Sequence, residues 1–183
     1  MRMIEVPVYK FDELDKKVQE KLIDLHSSDY TDMVNEDLGS TFQEKLIENG
    51  YLVTDIRWSI SACQGDGVAF YGDISGYDAK TIIDRVMPFR DAVYVSWGDV
   101  TINIRKRGAY NSYNHWNTMV VDVDYSGSEL PNDLEEALTK DVVAMSNELH
   151  KLGEEMLYPS REDIIAEIKE LGYEYFSDGR LYT

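Results

Sequence analysis

The stretch RKRGAYNSYNHWN, residues 105–117, places Arg105, Lys106 and Arg107 just ahead of Tyr110, Tyr113, His115 and Trp116. Cations interleaved with aromatic rings can grip single-stranded nucleic acid by charge and base stacking. Tyr, Trp and Arg are equally the residue types that dominate protein–protein hot spots. A plainer reading is a long connection whose rings fold back onto a sheet, although connections of this length are often functional. The second candidate is Gln64-Gly65-Asp66-Gly67. Glycines around an aspartate describe a turn, because Gly supplies positive φ and Asp bonds its own backbone. They also put Gln64 and Asp66 at a hairpin tip, within reach of a partner. This is no phosphate cradle, which needs a helix N-terminus after the glycines; the residues after Gly67 have strand character.

Asp122 and Asp124 alternate with apolar residues in VVDVDY, so both carboxylates fall on one strand face, about 6–7 Å apart at Cα. Such a pair can begin a hard-cation site, the basis of a metal-dependent hydrolase, but a cation needs further oxygen ligands. A solvated strand face is the plainer account. His26, His115 and His150 lack partners at zinc spacing, and Cys63 is the only cysteine. No G-x-S-x-G, P-loop or Cys–His signature is present. The pattern designates no catalytic residue, no metal-ligand set and no cofactor, and predicts a chain that is not an enzyme.

These side chains need elements to hold them. Residues 3–9 read as a short strand. Leu14, Val18, Leu22 and Leu25 then form one helical stripe with Asp12 placed as cap. Val34, Leu38, Phe42 and Leu46 mark a second helix from about Asp29, stopped by Asn49-Gly50, with Gly39 weakening its interior. If Gly65–Gly67 is a three-residue loop ending on a left-handed Gly67, Gln64 pairs with Val68, Ala62 with Phe70, Ile60 with Gly72 and Trp58 with Ile74. The large apolar side chains then share one face, and Arg57, Ser59, Ala69, Tyr71 and Asp73 take the other. A second hairpin about Gly98-Asp99 pairs Trp97 with Val100, Val95 with Ile102 and Val93 with Ile104. DAKTIIDRVM is a short helix, and NTMVVDVDY adds a strand.

Leu134, Leu138, Val142, Met145, Leu149 and Leu152 give a long amphipathic helix. A further helix follows, with Ser160 as cap, Asp163 in a capping box and Gly172 as stop. A small hairpin about Asp178-Gly179 closes the chain. The expected class is α+β: a mainly antiparallel sheet of about five strands covered by amphipathic helices.

A chain of 183 residues predicts a single domain, 1–183, or two closely packed lobes. Its parts are an acidic helical stretch over 1–50, a sheet over 51–128 and an acidic helical stretch over 129–183. Net charge is −17, from 18 basic and 35 acidic residues. Residues 1–50 hold 6 basic and 12 acidic groups (net −6), 51–128 hold 7 and 9 (−2), and 129–183 hold 5 and 14 (−9). Such a surface disfavours direct duplex nucleic-acid binding and favours a basic protein partner. Dense carboxylates on the C-terminal helices, among them Glu135, Glu136, Glu148, Glu162 and Glu170, could imitate duplex charge; acidic helix faces also simply solubilise. One cysteine, no signal-type apolar core at the N-terminus and no membrane-length apolar run predict a cytoplasmic protein with no membrane partner.

Three segments, YKFDELDKKVQEKLID, SACQGDGVAFYGDI and LGYEYFSDGRLY, together resemble small accessory proteins carried by bacteriophages and other mobile elements. This chain shows SSDYTDMV where that group often carries a Trp-rich stretch. The resemblance implies accessory phage biology in a host bacterial cytoplasm. Acidic proteins of this kind resemble inhibitors of host defence, of anti-CRISPR and anti-restriction type. The expected function is therefore a non-enzymatic acidic inhibitor of a host nucleic-acid-processing enzyme, of the CRISPR-nuclease kind. Nucleic-acid binding through residues 105–117 is the alternative, and metal-dependent hydrolysis the third.

Overall fold

The computed structural model describes residues 6–61, 63–87, 97–108, 113–127, 131 and 133–182, with the backbone alone for 29–33. The chain divides into two compact units, Met1–Glu36 with Glu155–Thr183 and Asp37–Glu154. Among the described residues there are four α-helices, α1 (Lys16–Glu48), α2 (Gly76–Val86), α3 (Leu134–Leu157) and α4 (Arg161–Leu171). They accompany four strands, β1 (Asp55–Ser59), β2 (Gly67–Ser75), β3 (Val100–Lys106) and β4 (Met119–Tyr125). The fold is α+β. No described helix is long and apolar enough to cross a membrane.

The strands form one antiparallel sheet in the order β1-β2-β3-β4. Its register differs from the expected one. Trp58 pairs with Val68 and Ser59 with Gly67, so the β1–β2 connection spans residues 60–66 rather than three residues. The observed and expected registers differ by an even number of residues, so the partition of faces survives: Ile56, Trp58, Val68 and Phe70 share one side, and Arg57, Ala69 and Tyr71 the other. The connection is longer than three residues because Asp66 closes a wider loop, described below. The left-handed glycine is Gly65, at φ 103°, and not Gly67.

The second expected hairpin is also replaced. Trp97–Asp99 is a 3-10 turn. Ile102 pairs with Ile74 on one side and Val123 on the other, so both its ladder edges are taken and the pairing with Val95 is excluded. Residues 93–95 themselves lie outside the described residues, as do 3–5 of the expected first strand; Tyr9 makes a single bridge to Tyr175.

The apolar sheet face is met by α1, where the Phe42 and Trp58 rings pack edge to face at 5.6 Å. The Ser146 hydroxyl of α3 donates to the Val68 carbonyl. A fully buried tyrosine, Tyr51, donates to Asp141 Oδ2 at 2.5 Å, and Arg85 of α2 donates to the same carboxylate. Burial first, and then the Asp141 hydrogen bond, push the Tyr51 hydroxyl far above its ordinary pKa.

The two helices expected in the first fifty residues are one. α1 runs unbroken through Gly39, where a Cβ would stand 3.1 Å from Trp58 Cη2, so this glycine serves close packing. Its start is also capped differently: Asp15, not Asp12, accepts the Lys17 N–H through Oδ1 at 2.9 Å. Asp12 instead pairs with Lys169 at 2.9 Å. The helix ends as expected at Gly50, in the left-handed region, with Tyr51 N–H donating to Leu46 O and Gly50 N–H to Ile47 O.

In the unit built from the chain ends, Phe11, Leu14, Ile23, Ile164, Ile168 and Tyr175 form the core. The α4 cap is as expected: Ser160 Oγ accepts from Asp163 N–H, the Asp163 carboxylate accepts in return, and Gly172 ends the helix at φ 63°. The tail hairpin also forms, with Tyr175 bridged to Leu181 and the Phe176 N–H donating to Arg180 O at 2.8 Å.

Candidate functional site

The loop over residues 60–66 is organised from within by Asp66. Its Oδ2 accepts the Ser61 N–H at 2.6 Å and the Cys63 N–H at 2.8 Å, and Oδ1 accepts the Ser59 hydroxyl at 2.9 Å. The backbone N–H of Cys63, and then that of Ser61, hold the carboxyl down to about 2. The Asp66 carboxylate thus closes its own loop, a structural role beside the partner contact expected of it. Gln64 does stand exposed at the tip.

The glycines admit a second segment. A Cβ on Gly65 would lie 2.6 Å from Tyr113 Cδ1, and one on Gly67 would lie 2.7 Å from the Asn114 carbonyl oxygen. Residues 113–118 therefore cross closely over the loop and the start of β2. Asn114 Nδ2 donates to the Trp58 carbonyl at 3.1 Å, and Thr118 Oγ1 donates to His115 O at 2.7 Å. His115 Nδ1 accepts the Asn117 N–H at 3.3 Å, which leaves Nε2–H as the donor of the neutral ring.

The result is a cleft of about 470 Å³ lined by Gln64, Gly65, Tyr113, His115 and Asn117. It joins the two stretches singled out in the sequence, which are some fifty positions apart. Tyr113 is 59% exposed and Trp116 40%, while Thr118 is buried. The lining carries no formal charge apart from any on His115. It offers amide donors and acceptors, an imidazole and a phenol ring, with His115 and Asn117 held by bonds within their own turn. Asn117, Asn114 and the tight approach at both glycines were not anticipated; Asn114-x-x-Asn117 in the aromatic loop was the available signal.

The three consecutive cations stand at the end of β3 and just beyond it. Arg105 and Lys106 alternate across β3, opposite Val120 and Met119 respectively. Lys106 contributes to keeping Asp55 below the usual carboxylate range, after the hydrogen bonds from Arg57. Among the described residues Arg107 adjoins the aromatic segment: it lines a small indentation with Trp116, Asn117 and Met119, and its N–H donates to Thr118 O at 2.7 Å. Tyr110 lies outside the described residues.

The other candidates fall away from this cleft. Asp124 accepts from Asn103 Nδ2 at 2.8 Å, and no cluster of three metal-binding side chains occurs among the described residues. Of the helical carboxylates, Glu136 pairs with Lys140, Glu148 with Lys45 and Asp141 with Arg85. No protein-family model, curated protein or solved structure matches the chain.

Proposed function

We propose that the protein is a non-enzymatic inhibitor that docks on a basic, nucleic-acid-processing defence enzyme of a host bacterium, of CRISPR-nuclease or restriction type. One observation carries the reading: the exposed Tyr113 ring lines a cleft closed by its tight approach to Gly65, and the Trp116 ring packs 5.1 Å from that of His115 in the same lining. Aromatic anchors beside a pocket, held in place before binding, are what a tight interface requires. The net charge of −17 would steer the chain toward a basic surface.

The test is binding and cleavage inhibition with a purified panel containing a type II CRISPR nuclease and restriction endonucleases. Tyr113→Ala and Trp116→Ala each weaken binding at least about tenfold, the effect of removing a hot-spot ring. Tyr113→Ala keeps the wild-type melting temperature, because that ring is mostly exposed; Trp116, more covered and packed beside His115, is read against the variant's own melting curve. Binding that is unaffected by both substitutions overturns the reading.

A second reading has its own support: Arg107 adjoins Trp116 and Asn117, a cation next to an aromatic ring. It would hold single-stranded nucleic acid by charge and stacking. In that case nucleic acid alone is retained, with affinity falling steeply with salt and lost on neutralising Arg107.

A further inference from the structure

The unit built from the chain ends contains a groove of about 430 Å³ between α1, α4 and the tail hairpin. Its floor and walls include Leu22, Leu25, Ile168, Tyr173 and Leu181. Leu25 is 55% exposed and Leu181 43%, so apolar side chains remain at the surface where the chain forms a concavity. A concave, mainly apolar site of roughly 300–1,000 Å³ is the usual setting for a small ligand.

The charges around it run against the rest of the molecule. Acidic residues outnumber basic ones 35 to 18 in the chain, yet the groove is lined by Lys21, His26 and Arg180 and by no carboxylate. Arg180 is already engaged by Asp178 at 2.8 Å and lies 5.3 Å from the Phe176 ring centroid. His26 Nε2 is buried without a hydrogen-bond partner, its nearest carboxylate oxygen being Glu167 Oε2 at 3.5 Å. Lys21 has no ion pair or hydrogen bond among the described residues. An apolar trough with a free ammonium at its edge matches a ligand with a hydrocarbon body and one terminal anion.

We propose that this groove binds an apolar-bodied carboxylate, its chain along Leu22, Leu25 and Ile168 and its carboxylate on Lys21. The site is separate from the Gln64–Asn117 cleft and does not depend on the function proposed there. The negative field of the whole protein opposes an anion, so a preference for one over its neutral and cationic counterparts must come from the groove itself.

The experiment titrates the full chain with decanoate below its micelle concentration, followed by NMR and calorimetry. Decanol and decyltrimethylammonium carry a similar body with no charge and with the opposite charge. Decanoate should saturate one site, with shift changes centred on residues 21–26 and 168–181. Octanoate, two methylenes shorter, should bind roughly tenfold more weakly. Lys21→Ala should weaken decanoate about fivefold and leave decanol unchanged, and Leu25→Gln should weaken both. Both positions are solvent-exposed, so an unchanged melting curve separates lost binding from lost fold. Non-saturating titration, equal affinity for decanol or the cation, or a Lys21→Ala variant that binds decanoate as wild type does, each overturns the proposal.

Discussion

Replacing Asp66 by Ala removes the acceptor that closes the 60–66 loop. The substitution leaves the Ser61 and Cys63 N–H groups, and the Ser59 hydroxyl, without their carboxylate. In its geometry the aspartate acts like a helix cap, and losing such a cap costs about 0.5–2 kcal/mol. The two N–H groups are exposed and water replaces part of what they lose, so the middle of that range, about 1.2 kcal/mol, is expected. For a chain of this size that lowers the melting temperature by about 2–5 °C.

The pH dependence follows from the carboxyl being held at about 2 in the folded protein. A group whose folded pKa is depressed stabilises fully above its unfolded value, about 3.9, and loses that stabilisation as pH falls through the folded value. The gap between wild type and Asp66→Ala is therefore constant from neutral pH down to about pH 5 and closes between about pH 4 and 2. Denaturant unfolding of both proteins, read by tryptophan fluorescence across that range, measures it. A gap below about 0.3 kcal/mol at neutral pH, or one that widens on acidification, refutes the loop-closing role.

Asp141→Ala strands the buried Tyr51 hydroxyl and removes the carboxylate partner of Arg85, which keeps its bond to Asn49 O, and should cost about 2–4 kcal/mol in denaturant unfolding. Tyr51→Phe, which leaves no orphaned hydroxyl, should cost less than half of that. Gly153→Ala brings a Cβ to 2.9 Å from Phe42 Cζ and 2.2 Å from Ile60 Cδ1, inside a packed core. The overpacking, about 1–3 kcal/mol, outweighs the gain of about 1 kcal/mol in helix propensity, so the variant melts below wild type.

Legibility in the sequence followed the range of the interaction. The α4 capping box needs only residues three apart, and Ser160, Asp163 and Gly172 stand as read. The α3 stripe of Leu134, Leu138, Val142 and Leu149 is likewise local and is buried. The sheet faces were readable because alternation survives an even shift in register. The register was not, since it depends on how Asp66 closes its loop. Gly39 looked like a break because the reason for it, Trp58, lies nineteen residues further on and meets it only in the folded chain. The candidate site was legible as two separate stretches. That they form one cleft rests on the Gly65–Tyr113 approach, a tertiary contact with no periodicity to betray it.

The way charge is distributed bears on how such a cleft would work. Glu136, Asp141 and Glu148 are partly neutralised by Lys140, Arg85 and Lys45, so the net charge of −17 is not spread evenly over the carboxylates. The exposed Glu136–Lys140 and Glu148–Lys45 pairs contribute little to stability, unlike the partly buried Asp141–Arg85 pair, and all three dilute the local field more than the distant one. At range the chain still presents its full net charge; at contact the Gln64–Asn117 cleft presents amides and rings. In the proposed function, steering and recognition are then separate tasks. The carboxylates act on the rate of encounter, which salt screens, while Tyr113, Trp116 and the hydrogen-bonding groups between them act on the lifetime of the complex, which salt barely touches.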